Sequence, residues 1–295
     1  ALSGQLGTGA LTDPALWDTM DLCVSCKGCK RECPTGVDMA KMKIEARSAW
    51  TKKHGLRLRE KLVAQMPHYA PFAAKIGGLL DAAQRLPVLG ALSKRLLGFA
   101  TERALPKFCA SYLSGQEHTV AQPGQMEVLL FVDTFNNYLE SDNARAAMKV
   151  LQAAGYTVHL NAVKGERPLC CGRTFLSAGQ VEQAKAEATR TIGTLLPFVK
   201  RGVAIVGLEP SCLLTMRDEF LQYGYGHEAR LLSEHAFLFE EFLVREKKAG
   251  RFTLSLKPLS TDTVMLHGHC HQKAFDALTP VQTVLGWIPD LKVST

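Results

Sequence analysis

The chain has 295 residues, 46% of them hydrophobic and 21% charged, which is enough to bury a large core in two domains. No apolar run approaches the ~18–20 residues that a membrane-spanning helix needs, and no secretory signal peptide is visible. Nine cysteines, an odd number clustered unevenly, argue against a disulfide scaffold and favour metal-bound thiolates in a reducing cytoplasm.

The formal net charge of +7 is confined to one stretch of the chain. Residues 27–61 hold eleven Lys and Arg against four Asp and Glu, whereas the charges of the remaining residues cancel. Three interpretations are open: a solvated helix face, a docking face for an acidic partner domain, or a peripheral contact with anionic lipid at the inner face of a membrane. Nucleic acid is not expected as a partner, because few aromatic residues accompany these charges.

The first 118 residues are predicted to form an all-helical domain. Asp13 is expected to cap one helix, and Thr35 to cap a second helix over 37–54. The segment 89–99 is predicted to be a packed core helix, with a partner-binding or membrane-surface helix as the alternative. Breaks in the helical pattern are expected at four prolines, namely Pro67, Pro71, Pro87 and Pro106.

The hydrophobic period changes after residues 115–125, the expected linker. Strands alternating with helices indicate a mainly parallel α/β sheet. We therefore expect an α/β domain over 119–295, with a first repeat over about 126–250 and a shorter second repeat over about 260–295. The predicted strands are 126–133, 156–160, 203–208 and 263–268; the predicted helices are 141–155 with Ser141 as N-cap, 178–199, 211–222, 234–248 and one from about 280.

A tight cysteine quartet lies in the segment CVSCKGCKRECP at 23–34, which contains Cys23, Cys26, Cys29 and Cys33. Two-residue gaps let consecutive thiolates curl round one compact object, and Pro34 turns the chain away from the last of them. This spacing is the ferredoxin-type run that holds a [4Fe–4S] cluster. A structural zinc site usually separates its two cysteine pairs by a dozen or more residues, so zinc or free thiols are the weaker alternatives.

The ligand role of Cys33 has two interpretations. It either completes the cluster held by the first three cysteines or serves a cluster whose other ligands lie outside this chain. The neighbouring Lys27, Lys30 and Arg31 either raise the potential of a cluster or are simply solvated.

A second set of cysteines follows predicted strands in the α/β part, at positions where ligands gather in such sheets. Cys170 and Cys171 are adjacent, so both can serve one site only if the chain turns there, which Gly172 permits. Cys212 and Cys270 each follow a later strand. These four thiols are the candidate ligands of a second iron–sulfur cluster, whereas Cys109 is predicted to be a packed thiol. Of the three histidines that flank Cys270, namely His267, His269 and His271, at least one is expected to be a structural hydrogen bonder.

These motifs together resemble a known family. A helical part with CxxCxxCxxxCP, followed by an α/β part with CCG and HCH, is similar to the cysteine-rich CCG-domain iron–sulfur oxidoreductases. The motifs at 23–34, 170–172 and 267–273 look most like the carboxyl-terminal portion of fused flavoproteins that oxidise D-lactate, glycolate or D-2-hydroxyglutarate.

The resemblance implies an electron-transfer module. FAD, on a domain fused upstream or separate, would take a hydride from a 2-hydroxyacid, and electrons would leave through the [4Fe–4S] cluster to a quinone or a redox protein. The chain alone is not expected to oxidise the substrate, and no catalytic residue is assigned within it. The basic stretch 27–61 would contact the flavin domain or the membrane.

The sequence departs from the family pattern in its second set of cysteines. The position expected to hold an early cysteine falls in VDTFNNYLE, which has none, and no second CCG follows HCHQK before Thr295. Because the chain also begins with Ala1, we expect a fragment of a longer polypeptide. Two other functions stay open: heterodisulfide-reductase-like thiol chemistry at Cys170 and Cys171, and a binding or assembly module whose α/β part holds no cluster.

Overall fold

A computed structural model describes residues 4–116 and 124–295. Within these residues seven α-helices precede the first strand. They are α1 (Pro14–Asp21), α2 (Gly28–Glu32), α3 (Met39–His54), α4 (Leu58–Ala64), α5 (Met66–Lys75), α6 (Gly77–Arg85) and α7 (Pro87–Leu97). None of the helices in the described residues is long and apolar enough to cross a membrane.

Local capping sets where the two helices around the cysteine quartet begin. The Asp13 carboxylate accepts the Ala15 N–H at 2.8 Å, which confirms the predicted start of α1. The predicted cap of α3 is wrong, because Asp38 rather than Thr35 accepts the Lys41 N–H, at 3.2 Å. Thr35 instead lies in the turn after the quartet, and its hydroxyl contacts the Cys33 sulfur at 3.1 Å.

The prediction of an all-helical first 118 residues holds only as far as Leu97. No helix lies in the described residues 98–116; there, Cys109 N–H donates to the Tyr138 carbonyl at 2.7 Å, which ties the segment to the α/β part. Pro71, predicted to break a helix, lies inside α5. The expected linker 115–125 contains residues 117–123, which lie outside the described residues.

The predicted burial of segment 89–99 is wrong. Three apolar side chains of α7 at i, i+4 and i+8 spacing are exposed: Val88 by 81%, Leu92 by 52% and Leu96 by 72%. The helix therefore presents an apolar stripe to the surface, as the alternative interpretation of a surface helix expects.

The remaining residues contain a parallel α/β sheet, as the alternating pattern predicts. Its four strands are all parallel, in the order β2–β1–β3–β4. Its elements are β1 (Met126–Phe131), α8 (Thr134–Tyr138), α9 (Ser141–Ala153), β2 (Tyr156–Leu160), α10 (Arg173–Ser177), α11 (Val181–Val199), β3 (Ala204–Gly207), α12 (Pro210–Arg217), α13 (Gly226–His235), β4 (Ala236–Leu238) and α14 (Phe239–Lys248).

Several helices differ from the prediction. Helix α12 ends at Arg217 rather than near 222, and α13 was not predicted. The predicted helix 234–248 is interrupted by β4, whose three residues pair with β3 and are too few to show a strand period. The predicted helix 178–199 starts at Val181, after the separate turn of α10. Ser141 is the first residue of α9 rather than its N-cap, which is Glu140.

The last part of the chain stands apart from the main sheet. It contains β5 (Thr263–Met265), α15 (Cys270–Ala274), α16 (Thr279–Leu285) and β6 (Lys292–Ser294). Strand β5 pairs in parallel only with β6, so these residues start a second small sheet and do not extend the first. Strand β5 is shorter than the predicted 263–268, and Met265 is 87% exposed.

The main sheet is buried on both faces. Alternate residues of β1 enter opposite apolar layers: Leu129 packs with α11 and α13, whereas Leu130 packs with α9 and α14. This burial fixes the strand register, and the register places the loops that follow β1, β2 and β3 at one edge of the sheet.

Candidate functional site

The cysteine quartet forms a tightly curled loop between α1 and α3. Ser25 and Lys27 adopt left-handed conformations, with φ of 56° and 61°, so the chain reverses within a few residues. Backbone amides point at two of the sulfurs: Ser25 N–H donates to the Cys23 sulfur at 3.4 Å, and Met39 N–H to the Cys29 sulfur at 3.3 Å. Such donors stabilise the negative charge of a thiolate ligand.

The fourth cysteine of the quartet has its own set of donors. The pKa of the Cys33 thiol is lowered, first by the hydrogen bond to the Thr35 hydroxyl and then by backbone amides at Val37, Thr35 and Gly36. Cys33 therefore sits in an environment that favours its thiolate, as a metal ligand requires.

The chemistry of the quartet fits an iron–sulfur cluster. All four thiols are free and partly exposed, and they come from one loop. In the part of the chain that the structure describes, no group of three or more His, Cys, Asp or Glu side chains is arranged to hold a metal ion. The fit depends on the donor set alone: a [4Fe–4S] cluster is held by four thiolates, and three of these four thiols have hydrogen-bond partners that would stabilise a thiolate.

Three cysteines of the second set meet in the core of the α/β part. Cys170, Cys171 and Cys212 are each 3% exposed and pack together against Phe135; we call them the buried trio. The turn predicted at Gly172 is present, with φ of 79°, and a Cβ there would lie 2.9 Å from the Ala184 carbonyl oxygen.

The environment of the trio raises the pKa of all three thiols. A hydrogen bond with Cys171 would lower the pKa of Cys212, but burial and the charges of Asp133 and Glu209 outweigh it and raise that pKa to about 12. The pKa of Cys170 is also raised, by its hydrogen bond with Cys171 and then by burial. A metal that bound here would have to displace thiol protons.

Cys270 lies apart from the trio. It is exposed, because the strand before it belongs to the second small sheet. It lines an open cleft of about 430 Å³ together with Cys23, Cys26, Arg173 and His271. The structure therefore brings together three of the four predicted thiols of the second set and places the fourth beside the quartet.

Buried ion pairs clamp the quartet loop onto the α/β part. The Lys27 side chain is 1% exposed; its ammonium donates to the Asp218 carboxylate and, at 2.6 Å, to Glu219. Lys30 and Lys41 add contacts to Asp218 at 3.4 and 3.1 Å. Of the alternatives for the basic stretch, simple solvation is therefore wrong for Lys27.

Arg173 and His271 form a second bridge between the two thiol sites. Arg173 N–H donates to the Cys171 sulfur at 3.4 Å, and its guanidinium bonds Glu219 and contacts His271 Nε2 at 3.0 Å. His271 Nε2 in turn lies 3.1 Å from the Ser25 carbonyl oxygen, inside the quartet loop. The expectation of a structural hydrogen-bonding histidine is thus confirmed for His271.

Sequence reasoning missed the residues that join the two sites. Arg173 directly follows CCG and could have been singled out by that position. Asp218 and Glu219 are more than 40 residues from any quartet or CCG cysteine in sequence, and nothing in their local pattern marks them as partners of Lys27.

Comparison with known proteins finds relatives that share one name. The chain is similar to curated proteins named D-2-hydroxyglutarate dehydrogenase: 24% identical over 216 residues in Pantoea ananatis, 22% over 270 residues in Escherichia coli, and 21% over 279 residues in Haemophilus influenzae. These alignments cover 70%, 86% and 88% of this chain, but only 21%, 25% and 26% of the relatives. The chain thus spans about a quarter of the length of the relatives it matches. No family model and no solved structure matches it.

Proposed function

We propose that the chain is the iron–sulfur electron-transfer part of a flavin-linked 2-hydroxyacid dehydrogenase. The names of the relatives favour D-2-hydroxyglutarate as the substrate over D-lactate and glycolate. The observation that carries the proposal is the quartet loop, with its sulfur-directed donors, clamped by buried ion pairs beside a second group of thiols.

The quartet would hold a [4Fe–4S] cluster, which exchanges one electron at a time when bound. Cys23, Cys26 and Cys29 supply three thiolates, and Cys33 supplies the fourth from a turn that already favours its deprotonated form. The buried clamp at Lys27 keeps the loop from opening, which limits reorganisation during electron transfer. FAD would be bound outside this chain, on a fused or separate domain, and would carry out the oxidation of the substrate.

The buried trio is the candidate site of a second iron–sulfur cluster. It offers three thiols rather than four, since Cys270 lines the cleft on the quartet side. Heterodisulfide-type thiol chemistry is less well supported there, because burial and neighbouring thiols raise the pKa of Cys170 and Cys171, and a thiol is a poorer nucleophile than a thiolate.

The surface beside Cys23 is the place where an electron partner would dock. Leu22 and Val24 flank this cysteine and are 83% and 81% exposed, an unusual degree for large apolar side chains next to a redox site. Most nearby basic side chains are already paired within the chain, so the contact would be mainly apolar, as in permanent interfaces. The acceptor would be a quinone or a redox protein, and a peripheral membrane contact would use the exposed stripe of α7.

Iron and acid-labile sulfide analysis of anaerobically prepared protein tests the proposal. About four irons and four sulfides per chain are expected if the quartet alone is loaded, and about eight of each if the trio also holds a cluster. Cys26→Ser should remove the iron and sulfide of the quartet. Cys109→Ser should not, because this thiol lies outside both sites and contacts the Ser141 hydroxyl at 3.4 Å. Stoichiometric zinc without labile sulfide would overturn the proposal.

A further inference from the structure

Arg173 lies between the two thiol sites. Its side chain is 16% exposed and faces the cleft that Cys23 and Cys26 also line. On its other side, its own amide donates to the Cys171 sulfur at 3.4 Å. Arg173 therefore adjoins the trio through its backbone amide and the quartet side through its guanidinium, which also contacts His271.

The positive charge around the clamp exceeds the negative charge. Lys43 donates to carbonyl oxygens, those of Cys23 at 2.5 Å and Asp21 at 3.4 Å, rather than to a carboxylate. Glu219 is shared between Arg173 and Lys27. The ion pairs of the clamp join four cations to three carboxylates, a surplus of one positive charge; they are Lys27, Lys30, Lys41 and Arg173 against Asp38, Asp218 and Glu219.

Arg173 is 16% exposed and shares its carboxylate partner, Glu219, with Lys27, so a further anion nearby would stabilise it. A cluster ligated by four thiolates is such an anion, and it becomes more negative when it is reduced. Because Arg173 is mostly shielded from water, its charge acts on that of the cluster more strongly than a surface lysine would.

We propose that Arg173 is the counter-charge of the quartet site and raises the reduction potential of a cluster held there, with Glu219 limiting the effect. It acts as a positioning and electrostatic residue and supplies no ligand. This inference rests on the proposed function, because it needs a cluster at the quartet.

The ion pairs determine whether each substitution should raise or lower the reduction potential. Arg173→Gln removes a cation that stabilises the reduced state, so the potential should fall by at least about 59 mV, a tenfold change in the one-electron reduction equilibrium. Glu219→Gln removes the carboxylate that neutralises Arg173 and Lys27, so the potential should rise. Arg173→Lys keeps the charge and should retain most of the wild-type value.

The test is an anaerobic redox titration of the whole chain, followed by the electron paramagnetic resonance signal of the reduced cluster, with iron content measured for every variant. Arg251→Gln is the matched control, since it breaks a charge-paired arginine contact with Glu246 on α14, away from both thiol sites, and should leave the potential unchanged. Opposite shifts in the Arg173 and Glu219 variants at full iron content would support the inference. A general loosening of the clamp would shift the reduction potentials of both variants in the same direction.

The inference is overturned if both variants keep the wild-type potential, or if both potentials move the same way. Should Arg173→Gln fail to retain iron, Glu219→Gln decides alone: a rise supports the assignment, and no change or a fall refutes it. A wild-type chain that binds no iron would instead refute the proposed function, so the two failures are distinguishable.

Discussion

Replacing Lys27 by methionine tests whether the buried clamp holds the quartet loop in place. The Lys27 ammonium is removed from water and bonded to Asp218 and Glu219. Removing one partner of a buried ion pair typically costs about 3–5 kcal/mol, because it leaves buried charge uncompensated. Since Asp218 keeps Lys30 and Lys41, we expect a loss near the lower end, about 3 kcal/mol.

The assay is urea unfolding of the metal-free protein, with the free energy of unfolding extrapolated to water. Lys53→Met is the control, because Lys53 is exposed and its one hydrogen bond among the described residues is to the Thr12 hydroxyl, at 3.2 Å; it should change stability by less than about 0.5 kcal/mol. A loss below about 1 kcal/mol in Lys27→Met would refute the reasoning, since it would mean that the clamp stabilises no more than a surface pair.

The ion pair between Lys27 and Asp218 also makes the stability of the fold depend on pH. Burial alone would raise the pKa of Asp218, but the hydrogen bond and charge of Lys27, with the charges of Lys41 and Lys30, lower it to about 2. A depressed carboxyl pKa stabilises the fold above the ordinary value of 3.8, and this contribution is lost as the pH falls through about 2. The stability difference between wild type and Lys27→Met should therefore shrink over that window.

Two further predictions concern the stability of the fold outside the two thiol sites. Burial would raise the pKa of Glu246, but hydrogen bonds led by that of Arg251 lower it to about 2; Arg251→Gln should therefore raise this pKa and shift acid unfolding, followed by circular dichroism, to higher pH. An unchanged acid midpoint would contradict that assignment. Gly179 has a φ of 74°, and a Cβ there would lie 2.6 Å from the Arg47 backbone, so Gly179→Ala should cost at least about 2 kcal/mol in urea unfolding. Gly202→Ala, at a φ of 80° with open space around it, should cost only about 1 kcal/mol, and equal losses at the two positions would show that the contact is unimportant.

The fold was largely predictable where the chain carries a strong local period. Strand β2 was predicted at its observed limits, and β1 and β3 to within two residues, because long apolar runs between turn signals indicate buried parallel strands. Strand β4 was missed because three residues between two helices give no readable period. The exposed stripe of α7 was misassigned because an apolar helix face looks the same in sequence whether it packs inside or outside.

The candidate site was predictable in its thiols and not in the contacts that join them. Spacing alone singled out the quartet, and the turn at Gly172 followed from the need to bring Cys170 and Cys171 together. The separation of Cys270 from the trio could not be predicted, because it depends on β5 pairing with β6 rather than with the main sheet. Contacts such as that between Lys27 and Glu219, 192 positions apart, arise only from tertiary packing.

The central claim is that the quartet holds a [4Fe–4S] cluster that carries single electrons. The most direct measurement is low-temperature electron paramagnetic resonance of the anaerobically purified chain, before and after reduction with dithionite. The account predicts a silent oxidised protein and, on reduction, about one unpaired electron for each loaded cluster, with the quartet's signal abolished in Cys26→Ser and the full signal retained in Cys109→Ser. A protein that stays silent in both states, or a reduced signal of unchanged intensity in Cys26→Ser, would contradict it.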